Sequence, residues 1–446
     1  MRQFLGKQYR ILRGRVEAVA YNARHKAAEF DLLILDDFFP NPVSSFRFTE
    51  FNHYFHQFDK VGILTTGNAL LVVNEKKKIG EFVKEYNQAF PLRHVSTFDK
   101  HKQPFAKVCY TVFLNNAYNF LPYIEAHALD FVFCLYPGGG FNLDTPETNE
   151  KLKAVCASPY FKGVIVTQKN ACDYLLDNHF CTEDKICYIF GGILAIHQYA
   201  VASNKPHFGI DKPTLDICFM ANKYMKGGID KGFDVFAEVA KAFDTEGSSD
   251  LGFGMSDVGK GEPTSDIRHP KSNICFHVVG PYSNEDIEGT PPSNIQFHGV
   301  KLTAELDPFF EKMDIILSPN RAGVLQKGAF DGFPTGSCVE AALKGVAMFI
   351  TDPLQLNTVY DDGKHIEIID PSVSSIVPKI QYYLNNPEAL HTLARDGQKH
   401  TRYLFSNDIQ LSQRVAFLNE KIGGQPPLKQ TRIKKVLETA LSGLLG

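Results

Sequence analysis

From residue 31 onward the chain alternates short, nearly continuous apolar runs with longer stretches in which apolar residues return every three or four positions. Asp31-Leu-Leu-Ile-Leu35, Val61-Gly-Ile-Leu64, Asp130 to Leu135, Gly163-Val-Ile-Val166 and Lys185-Ile-Cys-Tyr-Ile189 are too short for helices and too uniformly apolar for half-exposed strands. Each therefore predicts a strand buried on both faces. Such strands, separated by helical patterns, predict a parallel sheet covered by helices on either side. A second series begins at Leu215-Asp-Ile-Cys-Phe219. It runs through a helix from about Gly232, strands at Ile274 to Val278 and Ile295 to Phe297, and a helix from about Ala304. A strand at Asp314 to Leu317, a helix from about Ser337 and a strand at Ala347 to Ile350 complete it. Further helices are predicted over 372–385, 387–402 and 407–421. The expected fold class is α/β, two doubly wound Rossmann-like domains in tandem over 31–205 and 206–405. A helical arm over 1–30 precedes them, C-terminal helices with a basic tail over 406–446 follow, and Gly191 to Lys212 serves as the hinge.

Length and composition agree with this organisation. At 446 residues, 44% apolar and 22% charged, the chain has ordinary globular composition and is too long for one core. Lys+Arg of 47 against Asp+Glu of 50 leaves a net charge of -3, which argues against nucleic acid as a partner. The nine cysteines lie scattered, mostly within apolar runs, and none forms a Cys-x-x-Cys pair. That pattern predicts reduced thiols and a cytoplasmic setting, not a disulfide framework or a zinc site.

Residues 1 to 30 place Arg2, Lys7, Arg10, Arg13, Arg15, Arg24 and Lys26 against Glu17 and Glu29, with apolar residues at helical spacing. A helix of this kind docks on its neighbour or lies on an anionic membrane surface, and a second basic helix is predicted over 429–445. Peripheral contact with the inner membrane face is therefore one expectation. The Gly-, Ser-, Asp- and Pro-rich segment 245–272 predicts a long peripheral loop. Within it, Gly254 to Gly261 approaches a P-loop but ends in Gly and opens no helix, so the resemblance is rejected.

The richest segment is Asp331-Gly-Phe-Pro-Thr-Gly-Ser-Cys-Val-Glu340, between a strand ending in Ser318-Pro-Asn320 and a helix. A helix start of this kind points free N–H groups and a positive dipole end at an anion, and Gly336 permits close approach, as a diphosphate requires. Glu340 stands where it accepts two hydroxyl hydrogen bonds from a ribose. Ser337 and Glu340 also have the spacing of a capping box, in which the carboxylate serves only its own helix. Both readings stay open.

Together with Phe219-Met-Ala-Asn-Lys223-Tyr-Met-Lys226-Gly-Gly-Ile-Asp-Lys231-Gly, Val278-Val-Gly-Pro and Phe297-His-Gly299, this segment resembles retaining glycosyltransferases of family 4, which have the GT-B fold. The likeness runs from about 215 to 405 and is weaker before that. In the family's acidic pair the first acid corresponds to Asp331, with a spacing one residue longer here. The resemblance implies two domains facing across a cleft. It further implies a nucleotide-sugar donor on the second domain and transfer with retention to a glycan, lipid-linked or protein acceptor, with no bound metal or other cofactor. Glu340 would hold the ribose. Lys231 with Lys226 or Lys223 and the Gly336 and Ser337 amides would hold the diphosphate, and Asp331, Gly332 and Phe333 would face the sugar. Fixed cations suit a leaving diphosphate that gains charge in the transition state.

On the first domain, Phe48, Phe51, Phe55 and Phe58 read as core, whereas Arg47, Glu50 and His53 share another face. That face suits an acceptor; an intrahelical ion pair at i,i+3 explains it equally well. Tyr136-Pro-Gly138-Gly139-Gly140-Phe141 precedes a helix started by Thr145-Pro146 and presents bare backbone to a sugar. The histidine that family members often carry in a nearby loop is missing. The expected activity is nucleotide-sugar-dependent hexosyl transfer in surface glycan assembly. A non-catalytic subunit of the same fold and a GT-B epimerase remain as rivals.

Overall fold

The sheet-forming runs assemble into two separate parallel sheets. The computed structural model describes residues 29–71, 75–102, 104–194, 205–244, 274–301 and 303–423. The expected basic arm up to residue 28, the centre of the expected hinge, the 245–272 loop and the basic tail lie outside these residues. By contacts the chain forms two units, the first taking residues before Ile196 and after Tyr403, the second the residues between.

The first sheet contains β1 (Phe30–Asp36), β2 (Val61–Thr65), β3 (His94–Thr97), β4 (Ala106–Val112), β5 (Phe131–Leu135), β6 (Phe161–Val166) and β7 (Ile186–Tyr188). Their order is β3-β2-β1-β4-β5-β6-β7, and every pairing is parallel, as in Leu32↔Val61 and Leu32↔Val108. Helices α1 (Ser45–Gln57), α2 (Ile79–Ala89), α3 (Leu114–Ala126), α4 (Pro146–Cys156) and α5 (Lys169–Asp177) connect them. Thr145 caps α4, its Oγ1 accepting from the Thr148 N–H at 3.4 Å, with Pro146 next in line.

The second sheet contains β8 (Leu215–Met220), β9 (Ile274–Val279), β10 (Ile295–Phe297), β11 (Ile315–Ser318), β12 (Ala347–Ile350) and β13 (Glu367–Ile368), in the order β10-β9-β8-β11-β12-β13. Its helices are α6 (Phe233–Ala242), α7 (Thr303–Phe310), α8 (Gly336–Leu343), α9 (Val373–Asn385) and α10 (Pro387–Leu404). Both sheets thus have the doubly wound order of a Rossmann-like domain, reversing between β1 and β4 and between β8 and β11.

Burial explains the apolar strand text. Leu32 to Leu35 are wholly enclosed, and Phe51 and Tyr54 of α1 pack with Leu32, Ile34, Val61 and Tyr110 on one face of the first sheet. Phe58 is buried there, while Phe48 and Phe55 pack at its margin. The last described helix, α11 (Asn407–Ile422), adds Val415 and Leu418 to this same core. The described part of the 406–446 segment therefore belongs to the first unit. In the second unit Ile217, Phe219, Phe233, Phe236, Phe276 and Phe349 form the corresponding core.

Three strands were not anticipated: β3, β4 and β13. The β3 to β4 crossover is also unusual, since the described residues of 98–105 include no helix.

Candidate functional site

In doubly wound sheets, ligands sit outside the carboxyl ends of the strands where the order reverses. In the second unit that place lies between β8 and β11. Beyond β8 the chain forms a 3-10 turn over Lys226–Lys231 and enters α6 at Phe233. Gly232 makes this route possible: its φ is +72°, and a Cβ there would stand 2.0 Å from the Pro319 carbonyl oxygen. The β8 loop can press against the end of β11 only because position 232 has no side chain. The Arg321 N–H seals the contact by donating to the Asp230 carbonyl at 3.0 Å.

This approach brings together two residues singled out in the sequence. Lys231 Nζ donates to both carboxylate oxygens of Asp331, at 2.7 and 2.6 Å, and Asn320 Nδ2 donates to Asp331 Oδ2 at 3.1 Å. Lys231 also lies over the Tyr224 ring, 5.2 Å from its centroid. Asp331, Gly332 and Phe333 border a small cavity of about 40 Å³ with Ser318, Asn320 and Thr351. Lys231, Gly336, Ser337 and Glu340 stand outside its lining.

The two alternative lysines differ. Lys223 is committed to Asp286, at 3.1 and 3.0 Å, and lies against the Tyr282 ring. Lys226 is exposed and, among the described residues, has no ion-pair partner.

At α8 the N-cap is Thr335, so Ser337 occupies the second helical position. The Ser337–Glu340 spacing is therefore not a capping box. Thr335 makes no side-chain capping hydrogen bond to the backbone, and a Cβ at the exposed Gly336 would meet nothing within 4 Å. The helix start thus offers amides and dipole to an incoming anion. Glu340 is half-buried one turn further on.

Asp230 went unnoticed in the sequence. It is 3% exposed, and among the described residues neither carboxylate oxygen has a side-chain or backbone partner at hydrogen-bond distance. Burial pushes its carboxyl up, against the pull of neighbouring Lys231. Its signal in the sequence is the acid immediately before Lys231-Gly232.

The first unit places its residues differently from expectation. Arg47 turns inward, with Nε 2.9 Å from Asp36 Oδ2 and Nη2 2.9 Å from Asp37 Oδ1, instead of pairing with Glu50. Glu50 has no exposed surface, and its Oε1 accepts from Tyr54 at 2.8 Å and Tyr110 at 2.5 Å. Burial pushes this carboxyl up, and the charge of buried Arg414 opposes that. Neither residue is on an outward face because each compensates a buried polar group on a neighbouring strand or helix. His53 is half-buried, and burial lowers its imidazole below the ordinary value. Tyr136 is half-buried, its hydroxyl accepting from Arg414 Nη2 at 3.3 Å.

The three glycines are also spent mainly on packing. A Cβ on Gly139 would lie 2.3 Å from the Phe113 ring, and one on Gly140 would lie 2.0 Å from Asn115 Oδ1; Gly138 alone faces open space. Among the described residues no group of three or more His, Cys, Asp or Glu side chains is arranged to hold a metal ion, and no helix is long and apolar enough to cross a membrane.

Comparison with known proteins places these features in context. Residues 266–416 match the family model described as glycosyl transferase-like. No curated protein matches the chain. Among solved structures, Anabaena HepE in complex with UDP aligns with a TM-score of 0.55 at 11% identity, over 88% of this chain and 98% of its own. A glycosyltransferase from Rickettsia africae gives 0.55 at 12% identity, over 89% and 100%. Sucrose-phosphate synthase from Thermosynechococcus elongatus gives 0.50 at 11% identity, over 92% and 100%. At these identities the likeness is one of fold, and with two Rossmann-like parallel-sheet units the chain has the GT-B fold.

Proposed function

We propose that this protein is a glycosyltransferase that takes a sugar from a nucleotide-diphosphate donor held by the second unit. The observation that carries the reading is the Lys231–Asp331 pair where the second sheet reverses, beside an α8 start whose N-cap residue, Thr335, makes no side-chain capping hydrogen bond. Lys231, exposed Lys226 and the Gly336 and Ser337 amides compensate the diphosphate, while Glu340 accepts from the ribose hydroxyls. Of the two alternative lysines we favour Lys226, because Lys223 is paired with Asp286 and Lys226 is exposed. Asp331, Gly332 and Phe333 face the sugar. HepE, solved with UDP and with UDP-glucose, supports a uridine nucleotide and a hexose as the donor's parts.

In the reaction the bond from the sugar's C1 to the diphosphate oxygen breaks and the acceptor oxygen bonds to C1. The acceptor's proton leaves with the nucleoside diphosphate. Charge grows on the leaving oxygen, so a lysine and helix amides fixed in advance stabilise the transition state more than the ground state. Retention of anomeric configuration belongs to the same proposal.

The test is to incubate the purified protein with UDP-, GDP- and other nucleotide sugars and to follow nucleoside diphosphate release, alone and with glycan or lipid-linked acceptors. One nucleotide class should be consumed, with at least a hundredfold loss in Lys231→Ala. Binding without release under every acceptor would favour a non-catalytic subunit, and absence of both would end the reading.

A further inference from the structure

The first unit brings two cysteines into contact although 25 residues separate them along the chain. Strands β6 and β7 run parallel and side by side, with Val164 opposite Ile186. Cys156, the last residue of α4, stands five residues before β6 begins at Phe161, and Cys181, in the loop after α5, stands five residues before β7 begins at Ile186. Parallel neighbours start at the same edge of a sheet, so the two lead-in segments lie together. That edge is the amino end of the strands, away from the carboxyl ends where ligands of doubly wound sheets bind.

The Cys156 thiol donates a hydrogen bond to the Cys181 sulfur, and both residues are partly exposed. This bond holds the Cys181 thiol below its ordinary value, with the Lys185 ammonium acting in the same direction, and it holds Cys156 above. Cys156 also closes α4, where the negative end of the helix dipole disfavours a thiolate. Lys185 is kept in place by Phe161, its Nζ 3.4 Å from the carbonyl oxygen and 5.1 Å from the ring centroid. The pair therefore has one sulfur that ionises first and a neighbour that keeps its proton. Cys109, Cys134, Cys218 and Cys338 contrast with it, each buried and each pushed up by burial, as inert thiols are.

We propose that Cys156 and Cys181 form a redox site that a hydroperoxide oxidises to a disulfide. The Cys181 thiolate attacks the peroxide, the O–O bond breaks, and Cys181 becomes a sulfenic acid while the departing oxygen takes up a proton and leaves as the first water. The Cys156 sulfur then bonds to the Cys181 sulfur, and the sulfenic hydroxyl leaves with the Cys156 proton as the second. Two thiols and one hydrogen peroxide thus give one disulfide and two waters, with two electrons passing from sulfur to oxygen. The new bond ties the end of α4 to the lead-in of β7 and closes a loop that contains β6 and α5. Exposed Thr182, Glu183 and Asp184 follow Cys181 and leave it free to complete the approach. The site lies apart from Lys231 and Asp331 in the other unit, so it stands whether or not the transferase reading does.

The experiment exposes the reduced full chain to a small excess of hydrogen peroxide and maps its peptides by mass spectrometry without reduction. Two of the nine thiols should be lost first, in a linked pair of peptides carrying Cys156 and Cys181, and dithiothreitol should restore both. Cys156→Ser should stop at a sulfenic acid on Cys181 that dimedone traps. In Cys181→Ser, oxidation of Cys156 should run at least tenfold more slowly than oxidation of Cys181 in the wild type. Cys172→Ser, which replaces the other thiol near Cys181, should leave the link intact. The peptide map of the wild type decides the linkage whether or not the variants fold. Persistence of both thiols while other cysteines oxidise, a link from Cys181 to Cys172 or Cys187 instead, or attack that begins at Cys156 would each overturn the proposal.

Discussion

At Glu50 one buried carboxylate holds α1 to β4 through the Tyr110 hydroxyl and also accepts from Tyr54 on its own helix, within reach of the charge on Arg414. Removing one member of a buried charged network leaves the others unpaired, which typically costs about 3–5 kcal/mol. Glu50→Ala should therefore lower the unfolding free energy read from urea melts by that amount, and an unchanged midpoint with altered acceptor use would restore Glu50 to the site. Gly139 supports a second prediction. Alanine there combines φ of +55° with a Cβ 2.3 Å from the Phe113 ring, whereas Gly138→Ala meets open space. Strain and overpacking together should cost Gly139→Ala about 2–4 kcal/mol, and strain alone should cost Gly138→Ala about 1 kcal/mol. Equal effects in thermal melts would contradict the packing described. Lys231 and Asp331 were each singled out through the family resemblance, but their pairing across 100 residues was not legible. Nor was the pairing of Lys223 with Asp286, 63 residues away, because nothing local announces a partner that only the fold supplies.

Among the elements, uniformly apolar strands were legible and mixed ones were not. The strand β4, Ala-Lys-Val-Cys-Tyr-Thr-Val, is buried from Val108 to Val112, but Lys107, Tyr110 and Thr111 interrupt its apolar text. Tyr110 is tolerated there because Glu50 accepts from its hydroxyl. β3 is an edge strand with only Val95 buried, and β13 has two residues. The start of α8 was displaced from expectation because Thr335 and Ser337 are both acceptable caps, and only backbone geometry chooses between them. Lys205 links elements in the second unit. Its buried amine donates to the carbonyls of Phe310, Lys344 and Gly345 at 3.3, 3.3 and 2.8 Å, near the ends of α7 and α8. Burial lowers this amine from 10.5 to about 7. Between those values the unfolded chain holds the extra proton, so this group's contribution to stability rises with pH. The melting temperature of wild type relative to Lys205→Met should accordingly improve from pH 7 to pH 9, and a pH-independent difference would contradict this.

For the whole molecule, the first unit is discontinuous in sequence: α11 completes a core begun at β1. A chain ending at Leu404 would lose Val415 and Leu418 from that core and Arg414 from beside Glu50. Circular dichroism and size exclusion should show aggregation or a non-cooperative first unit, and a soluble, cooperatively unfolding product would argue that α11 is dispensable. The tandem of doubly wound units was legible because the strand and helix text repeats. The return of the chain to its first unit was not, since an amphipathic helix does not disclose which sheet it covers.

The central claim is that the second unit holds a nucleotide diphosphate through Lys231 and the α8 start. The most direct test is calorimetric titration of UDP, and of GDP as an alternative, into the full chain, Lys231→Ala and Glu340→Ala. Lys231→Ala should reduce affinity at least tenfold, and Glu340→Ala should do so for nucleotides carrying ribose hydroxyls. Tight binding unaffected by Lys231→Ala, or no binding of either nucleotide to the wild type, would contradict the account.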